Sequence, residues 1–210
     1  MGSGDEVPKA LGQLGCDVTL LGPGDLAERN FSEFDAIVIG VRAYNVRADL
    51  RANQNRLMRY IQDGGTVVVQ YNVAEGGPFG RDTGALAHIG PYPLKVGRER
   101  VTVEEATVKF PTPNHPLLLR PNKITEHDFE GWVQERGLYF ASEWDKQYEP
   151  VFETHDPGEK PLPGGTLYAR YGKGVYIFTA YAWFRQLPAG VPGAYRLFAN
   201  IISAGKSARP

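Results

Sequence analysis

The feature that most constrains the fold of this chain is a pair of short apolar runs separated by an amphipathic stretch. Residues 36–40 (AIVIG) and 66–70 (TVVVQ) have the composition typical of strands that are covered on both faces. Between them, residues 48–62 repeat apolar side chains at helical spacing among Arg, Asn and Gln. A strand, a helix and a second strand form a βαβ unit, which joins two parallel strands through a right-handed crossover. The sequence therefore predicts an α/β fold.

Further elements are predicted on both sides of this unit. Residues 17–21 have the composition of another strand. Residues 166–171 and 175–179 flank a Gly-Lys-Gly turn, which is the pattern of a β-hairpin, and residues 194–202 have the pattern of a final helix. We therefore expect a single domain over residues 1–210, with a mainly parallel sheet and antiparallel additions.

Length, charge and cysteine content exclude several classes of protein. The 210 residues carry a net charge of −1, which gives no electrostatic basis for binding nucleic acid. No apolar run approaches the roughly 20 residues that cross a bilayer, and the first residues lack the pattern of a signal peptide. Cys16 is the only cysteine, so it cannot form a disulfide within the chain. We expect a cytoplasmic protein that binds neither nucleic acid nor membranes.

Polar and aromatic side chains follow three of the predicted strands, at the edge where open α/β sheets bind ligands. Such side chains suit an oxygen-rich ligand, with aromatic rings against its apolar faces and Arg or Asn on its oxygens. We predict ligand contacts from Arg42, Tyr44, Asn45, Tyr181, Trp183 and Arg185, and catalytic contacts from Tyr71 and Asn72. The alternative is structural: the tyrosines cap the core with their hydroxyl groups in water, and Arg42 pairs with an acid.

A second group of candidates suggests a metal site. Glu126 and Asp128 are predicted metal ligands, and His115, shortly before them in the chain, is a predicted catalytic residue. A divalent cation held there would polarise a carbonyl group or activate water, and oxygen ligands favour Ca²⁺, with Zn²⁺ or Mg²⁺ as alternatives. The competing interpretations are a solvated helix face for residues 126–130 and a turn residue bonded to the backbone for His115. No nucleotide cofactor is predicted, because Gly2 and Gly4 follow no strand.

Three segments, in order along the chain, resemble one domain family. Residues 40–72, 121–140 and 171–188 read GVRAYNVRADLRANQNRLMRYIQDGGTVVVQYN, PNKITEHDFEGWVQERGLYF and YGKGVYIFTAYAWFRQLP. They are similar to the class I glutamine amidotransferase-like domain at the C-terminal end of bacterial PIG-L-type deacetylases and, more distantly, to ThuA-like domains. The resemblance implies a flavodoxin-like three-layer sandwich. Such domains open with a strand before a glycine turn like Gly2-Ser3-Gly4-Asp5, so we expect that first strand to be lacking and a homodimer to be favoured.

The chain departs from this family at the positions that carry its chemistry. The family's cysteine nucleophile would fall at Gln70-Tyr71-Asn72-Val73, and its histidine and glutamate at Thr179-Ala180-Tyr181-Ala182. Nucleophile and base are both missing, so amidotransferase chemistry is not expected. Two hypotheses remain. One is a small metal-assisted hydrolase of an ester, a lactone such as an acyl-lactone, or an amide. The other is a non-catalytic accessory domain that binds a sugar-like ligand or a deacetylase partner.

Overall fold

The computed structural model describes residues 5–76 and 84–207, and it has an α/β architecture around a five-stranded mixed sheet. Gly2 and Gly4 therefore lie outside the described residues. Buried apolar side chains form one cluster that extends from Val7 to Ala204. A single apolar cluster of this extent means that the elements below pack on a common core.

The central sheet combines parallel and antiparallel pairs. The strands are β1 (Ala36–Ile39), β2 (Thr66–Val69), β3 (Leu94–Val96), β4 (Arg100–Val101), β5 (Val108–Lys109), β6 (Gly137–Leu138), β7 (Ala141–Trp144), β8 (Glu149–Pro150), β9 (Glu153–Thr154), β10 (Thr166–Tyr171) and β11 (Gly174–Thr179). The sheet order is β1-β2-β11-β10-β8, and the remaining strands form the pairs β3 with β7, β4 with β6 and β5 with β9. β2 pairs parallel with β1 and β11, whereas β10 pairs antiparallel with β11 and β8. The sheet is thus mixed rather than mainly parallel.

Helices cover the sheet and connect its strands. The α-helices are α1 (Val7–Gln13), α2 (Asp25–Glu28), α3 (Ala43–Val46), α4 (Ala48–Ala52), α5 (Gln54–Gln62), α6 (Pro116–Leu119), α7 (Trp183–Gln186), α8 (Pro192–Ile202) and α9 (Ala204–Ser207), and 3₁₀ helices span Phe31–Glu33 and Glu126–Phe129. The helix predicted over residues 48–62 is divided at Asn53, whose side chain donates to the Asp49 carbonyl (2.9 Å). Such local bonds from asparagine favour helix ends. Across the described parts of the chain, every helix is too short or too polar to span a membrane.

The predicted βαβ unit and hairpin are confirmed. β1 and β2 pair in parallel register, with Ile37 opposite Val67. Val67, Val68 and Val69 are fully buried, because β2 lies between two strands and contacts both α5 and α8. β10 and β11 form the predicted hairpin, and the predicted final helix is α8.

The strand predicted over residues 17–21 is wrong. These residues carry no strand pairing in the structure. The Arg47 guanidinium instead fixes the end of the segment, by donating to the carbonyl oxygens of Leu21 (2.9 Å) and Gly22 (3.2 Å). A strand needs a backbone neighbour, and a groove lies where that neighbour would be, between this segment and β1.

Two glycine substitutions should change stability in opposite directions. At Gly174 a methyl group would overlap the carbonyl oxygens of Ile61 and Gly65, so Gly174→Ala should lower the free energy of unfolding by about 1–3 kcal/mol or more. Gly12, within α1, faces open space, so Gly12→Ala should raise it by about 0.5–1 kcal/mol. Urea denaturation of the two variants measures both changes. Equal effects would contradict this packing of β11 on the end of α5.

Candidate functional site

The side chains of two asparagines form hydrogen bonds between the chain segments that follow β1 and β2. The Asn72 side chain donates to the Gln70 carbonyl (2.8 Å) and accepts from the Tyr44 amide (3.1 Å). The Asn45 side chain donates to the Val73 carbonyl (3.0 Å) and accepts from the Val73 amide (2.9 Å). Asn72 is also completely buried. Because both amide groups are used by the backbone, these predicted contact residues position the site rather than face a ligand.

Three further predicted contact residues belong to the core. The Tyr44 hydroxyl donates to Gln54 Oε1 (2.6 Å), and Trp183 Nε1 donates to Thr179 Oγ1 (2.8 Å). The Tyr181 ring packs 5.3 Å from that of Phe140, and its hydroxyl has no hydrogen-bond partner within the described ranges. Burial raises the phenol pKa of Tyr44 and of Tyr181. Tyr44, Tyr181 and Trp183 are 0–1% exposed, so they cannot contact a ligand without repacking of the core.

Three half-buried rings form the accessible part of the predicted site. The centroid of the Tyr71 ring lies 5.5 Å from that of Tyr139 and 5.4 Å from that of Phe184. The Arg185 guanidinium lies 5.0 Å from the Phe184 centroid and donates to Glu135 Oε1 (2.7 Å). We call Tyr71, Tyr139 and Phe184 the aromatic cleft. It presents apolar ring faces beside an ion pair, which is a surface suited to a ligand with both apolar and polar sides.

Backbone strain is concentrated beside this cleft. Arg42 and Tyr139 adopt left-handed conformations, with φ of 58° and 60°. The Arg42 amide donates to the Tyr71 carbonyl (2.8 Å), and its side chain is exposed. For a residue with a Cβ atom this conformation costs about 1–2 kcal/mol of conformational free energy, and such strain clusters at functional sites. Arg42 is therefore held, at a cost in stability, where its side chain faces solvent next to Tyr71.

Tyr71 cannot act as a base at neutral pH. Burial raises the pKa of its phenol, and the nearby Arg42 and Arg185 side chains only partly oppose that effect. The phenol therefore stays protonated, and it can donate or accept a hydrogen bond without taking up a proton. Of the two predicted catalytic residues after β2, Asn72 is bonded to the backbone and Tyr71 presents a protonated phenol.

His115 lies in a different part of the fold. Its Nδ1 accepts from the Leu117 amide (3.2 Å) at the start of α6, so its interpretation as a backbone-bonded turn residue is confirmed. Its ring packs on Tyr168 of β10, with the centroids 4.8 Å apart, and Nε2 lies 3.9 Å from Glu149 Oε2 of β8. Burial lowers the His115 pKa to about 4. Its recorded contacts are thus on the antiparallel side of the sheet, whereas Tyr71 follows the parallel strand β2.

The predicted metal ligands have other partners. Asp128 Oδ1 accepts from Arg196 Nε (2.7 Å), and Oδ2 accepts from the Thr125 amide (2.9 Å) in a capping box. Asp128 is therefore part of the folded framework. Glu126, His127 and Glu130 are exposed, as the solvated-face interpretation predicts, whereas Asp128 and Phe129 are buried. Over residues 5–76 and 84–207, no three His, Cys, Asp or Glu side chains are grouped so that they could hold a metal ion.

Sequence reasoning missed part of the aromatic cleft. Tyr139 is 68 residues from Tyr71 and 45 residues from Phe184, and nothing in the sequence indicates its left-handed backbone. Phe184 lies between Trp183 and Arg185, and the start of α7 determines that Phe184 rather than Trp183 faces outward. The sequence indicated Tyr71 only because it follows β2, and open α/β sheets bind ligands where their parallel strands end.

Replacement of Arg42 by glycine should stabilise the fold. Glycine adopts φ near 58° without steric cost, so Arg42→Gly should raise the free energy of unfolding by about 1 kcal/mol. Arg42→Ala removes the same charge but keeps a Cβ atom, so it should give no such gain. Urea denaturation of both variants measures the difference. Equal stabilities would show that the left-handed backbone at Arg42 stores no strain.

The buried His115 should make stability depend on pH. Its pKa is about 4 in the folded state against 6.5 for the unperturbed group, so the unfolded chain binds the proton first. Stability should therefore fall as the pH decreases from 6.5 to about 4, by up to about 1.4 kcal/mol per pH unit from this group. His115→Asn keeps an acceptor for the Leu117 amide and should flatten the curve in denaturation series over that window. His127→Asn, at an exposed site, is the control and should not flatten it.

Comparison with known proteins relates the chain to solved structures alone. No protein-family model and no curated protein sequence matches it. The cytoplasmic proteins STM3548 and STM1381 of Salmonella typhimurium superpose on 93% of this chain and 84% of their own, with 15% and 14% identity and TM-scores of 0.58 and 0.57. A β-galactosidase from Rahnella sp. R3 superposes on 94% of this chain with 15% identity and a TM-score of 0.54, but the chain spans only 26% of that enzyme. These identities establish a shared fold and no shared activity.

Proposed function

We propose that this chain is a non-catalytic accessory domain that binds a sugar-like ligand at the aromatic cleft. The observation that carries the proposal is the clustering of Tyr71, Tyr139 and Phe184 as half-buried rings next to charged side chains. A sugar ring has apolar faces and an edge of hydroxyl groups, so aromatic rings and charged donors or acceptors complement it.

The charged groups around the cleft favour binding over catalysis. Arg42 and Arg185 supply hydrogen-bond donors, and Glu135, which pairs with Arg185, supplies acceptor oxygens. The phenol of Tyr71 is protonated, so the cleft has a hydrogen-bonding group there rather than a base. General acid–base catalysis needs a group that changes its protonation state near neutral pH. His115, the residue type best suited to that role, contacts other strands.

We also propose a glutamine amidotransferase-like domain of flavodoxin-like topology. The three resembling segments support this assignment, as do the parallel order of β1, β2 and β11 and the helical crossover between β1 and β2. Within that assignment, a deacetylase is the protein partner that the resemblance implies. The domain would then hold a carbohydrate substrate or product while another polypeptide carries out the chemistry.

A metal-assisted hydrolase of esters, lactones or amides is the second proposal. The observation that favours it is the buried Nε2 of His115, which has no hydrogen-bond partner within the described residues and lies 3.9 Å from Glu149 Oε2. A bound Ca²⁺, Zn²⁺ or Mg²⁺ would supply the Lewis acid in that case. The hydrolase proposal requires a metal ion to bind side chains that lie apart in this structure. We therefore rank it below the sugar-binding proposal.

Calorimetric titration with a panel of neutral mono- and disaccharides tests the first proposal. At least one sugar should bind saturably without turnover, and Tyr71→Ala and Phe184→Ala should each weaken binding about tenfold, or about 1.4 kcal/mol. Tyr171→Ala is the matched control, because Tyr171 is a half-buried aromatic residue that packs on Tyr92 at the hairpin end of the sheet.

Two outcomes would count against binding at the cleft. Equal losses in Tyr171→Ala and Tyr71→Ala would place the ligand elsewhere. Turnover of model esters, lactones or amides that a chelator abolishes and Ca²⁺, Mg²⁺ or Zn²⁺ restores would establish the hydrolase instead. Loss of that turnover in His115→Asn, with folding retained, would then assign the reaction to the His115 region.

A further inference from the structure

A groove runs along the outer edge of β1, away from β2. Its volume is about 780 Å³. β1 and its flanking residues form one wall, and residues 15–21 form the opposite wall. Val7 and Leu11 of α1, together with Leu26 and Leu50, contribute apolar lining. We call this space the β1 groove, and it is separate from the aromatic cleft.

Both walls of the β1 groove expose backbone that has no strand partner among the residues the structure describes. Ile39 accepts from the Gln70 amide (3.1 Å), so its peptide groups point toward β2. Because successive residues of a strand point their peptide groups to opposite edges, those of Ala36 and Val38 point into the groove. On the opposite wall, residues 17–21 carry no strand pairing. A free edge of this kind is a template for another strand.

A buried polar side chain lines the same groove without a partner. Gln70 is 1% exposed, and neither Oε1 nor Nε2 has a hydrogen-bond partner in residues 5–76 or 84–207. An unsatisfied buried amide is destabilising, because both its donor and its acceptor have lost water. A peptide group offers one acceptor and one donor, so a polypeptide backbone in the groove would satisfy both atoms of Gln70.

The lining of the groove defines what would fit. Side chains above and below a strand in this position would meet apolar residues, as those of β1 do. The lining also carries both acidic and basic side chains, and Glu33 accepts from Arg29 Nε within it (2.8 Å). A fitting segment is therefore one that is apolar on both faces.

We propose that the β1 groove binds an extended, apolar segment of a partner polypeptide, which adds to the sheet as a strand beside β1. The main-chain hydrogen bonds would provide affinity, and the apolar lining would select the side chains. The proposal is independent of the sugar-binding function, because it uses the edge of β1 and the side chain of Gln70 rather than the aromatic cleft. Occupation would also give residues 17–21 the neighbour that a strand requires.

Protection of Cys16 provides a direct test with the intact chain. Cys16 is half-buried in the groove wall and is the only cysteine, so its alkylation by iodoacetamide reports on occupancy. The probe is a synthetic peptide with the β1 sequence AIVIG between two lysines on each side. At a concentration ten times its Kd it should slow alkylation about tenfold, because only the free fraction reacts. A peptide with proline at its centre should not protect, because proline lacks the amide that donates to a neighbouring strand.

Gln70→Leu separates binding from folding. The free variant should unfold at the same or a higher temperature, because an apolar side chain replaces an unsatisfied amide, whereas the Kd of the peptide should rise about fivefold. Hydrogen exchange supplies a further readout: the Val38 amide should become protected when the peptide binds. Equal protection of Cys16 by the proline peptide, or no protection by any peptide, would overturn the proposal. A dimer in light scattering with Cys16 already protected would also overturn it, because a second copy would then occupy the groove.

Discussion

Complete burial of β2 between two parallel neighbours is the constraint on which the rest of the structure depends. A strand covered on both faces is predominantly apolar, and Val67, Val68 and Val69 meet that requirement. Parallel neighbours cannot be joined by tight turns, so the chain must cross over a face of the sheet between them. The crossover through α5 covers one part of the core, and it places the residues that follow β1, β2 and β11 at one edge. The candidate site lies at this edge for that reason.

At that edge, burial divides the side chains into those that hold the site and those that face solvent. Asn45 and Asn72 use their amide groups on neighbouring backbone, which fixes the path of the chain on either side of Tyr71. A buried amide with all its bonds made is rigid, because breaking one bond leaves an unsatisfied polar group. The rigid backbone in turn supports the left-handed Arg42, whose amide bonds to the Tyr71 carbonyl. Supporting and solvent-facing residues are therefore interspersed along the chain, and residue type alone does not distinguish them.

The sequence predicted the parts of the fold that depend on local pattern. Uninterrupted apolar runs identified β1 and β2, and a glycine turn between alternating runs identified the β10–β11 hairpin. The pattern of residues 17–21 is equally typical of a strand, yet strand formation needs a partner, and these residues pair with no strand in the described part of the chain. Burial of Trp183 and Tyr181 was missed for a related reason: aromatic side chains suit both a core and a ligand surface, and packing by Phe129, Trp132 and Phe140 decides between them. Side-chain contacts between distant segments, such as Tyr71 with Tyr139, have no local signal.

The two proposed sites meet at the end of β2. Gln70 lines the β1 groove, and the next residue, Tyr71, contributes its ring to the aromatic cleft. The peptide groups of these residues are fixed by Ile39 on one side and by Arg42 and Asn72 on the other. A strand that binds Gln70 would therefore restrain the same backbone that presents Tyr71. Any resulting change in the affinity of the cleft must be matched by an equal change in the affinity of the groove, because coupling between two binding sites is reciprocal. The short connection from Gln70 to Tyr71 is thus the physical route by which a partner strand and a small ligand would influence each other.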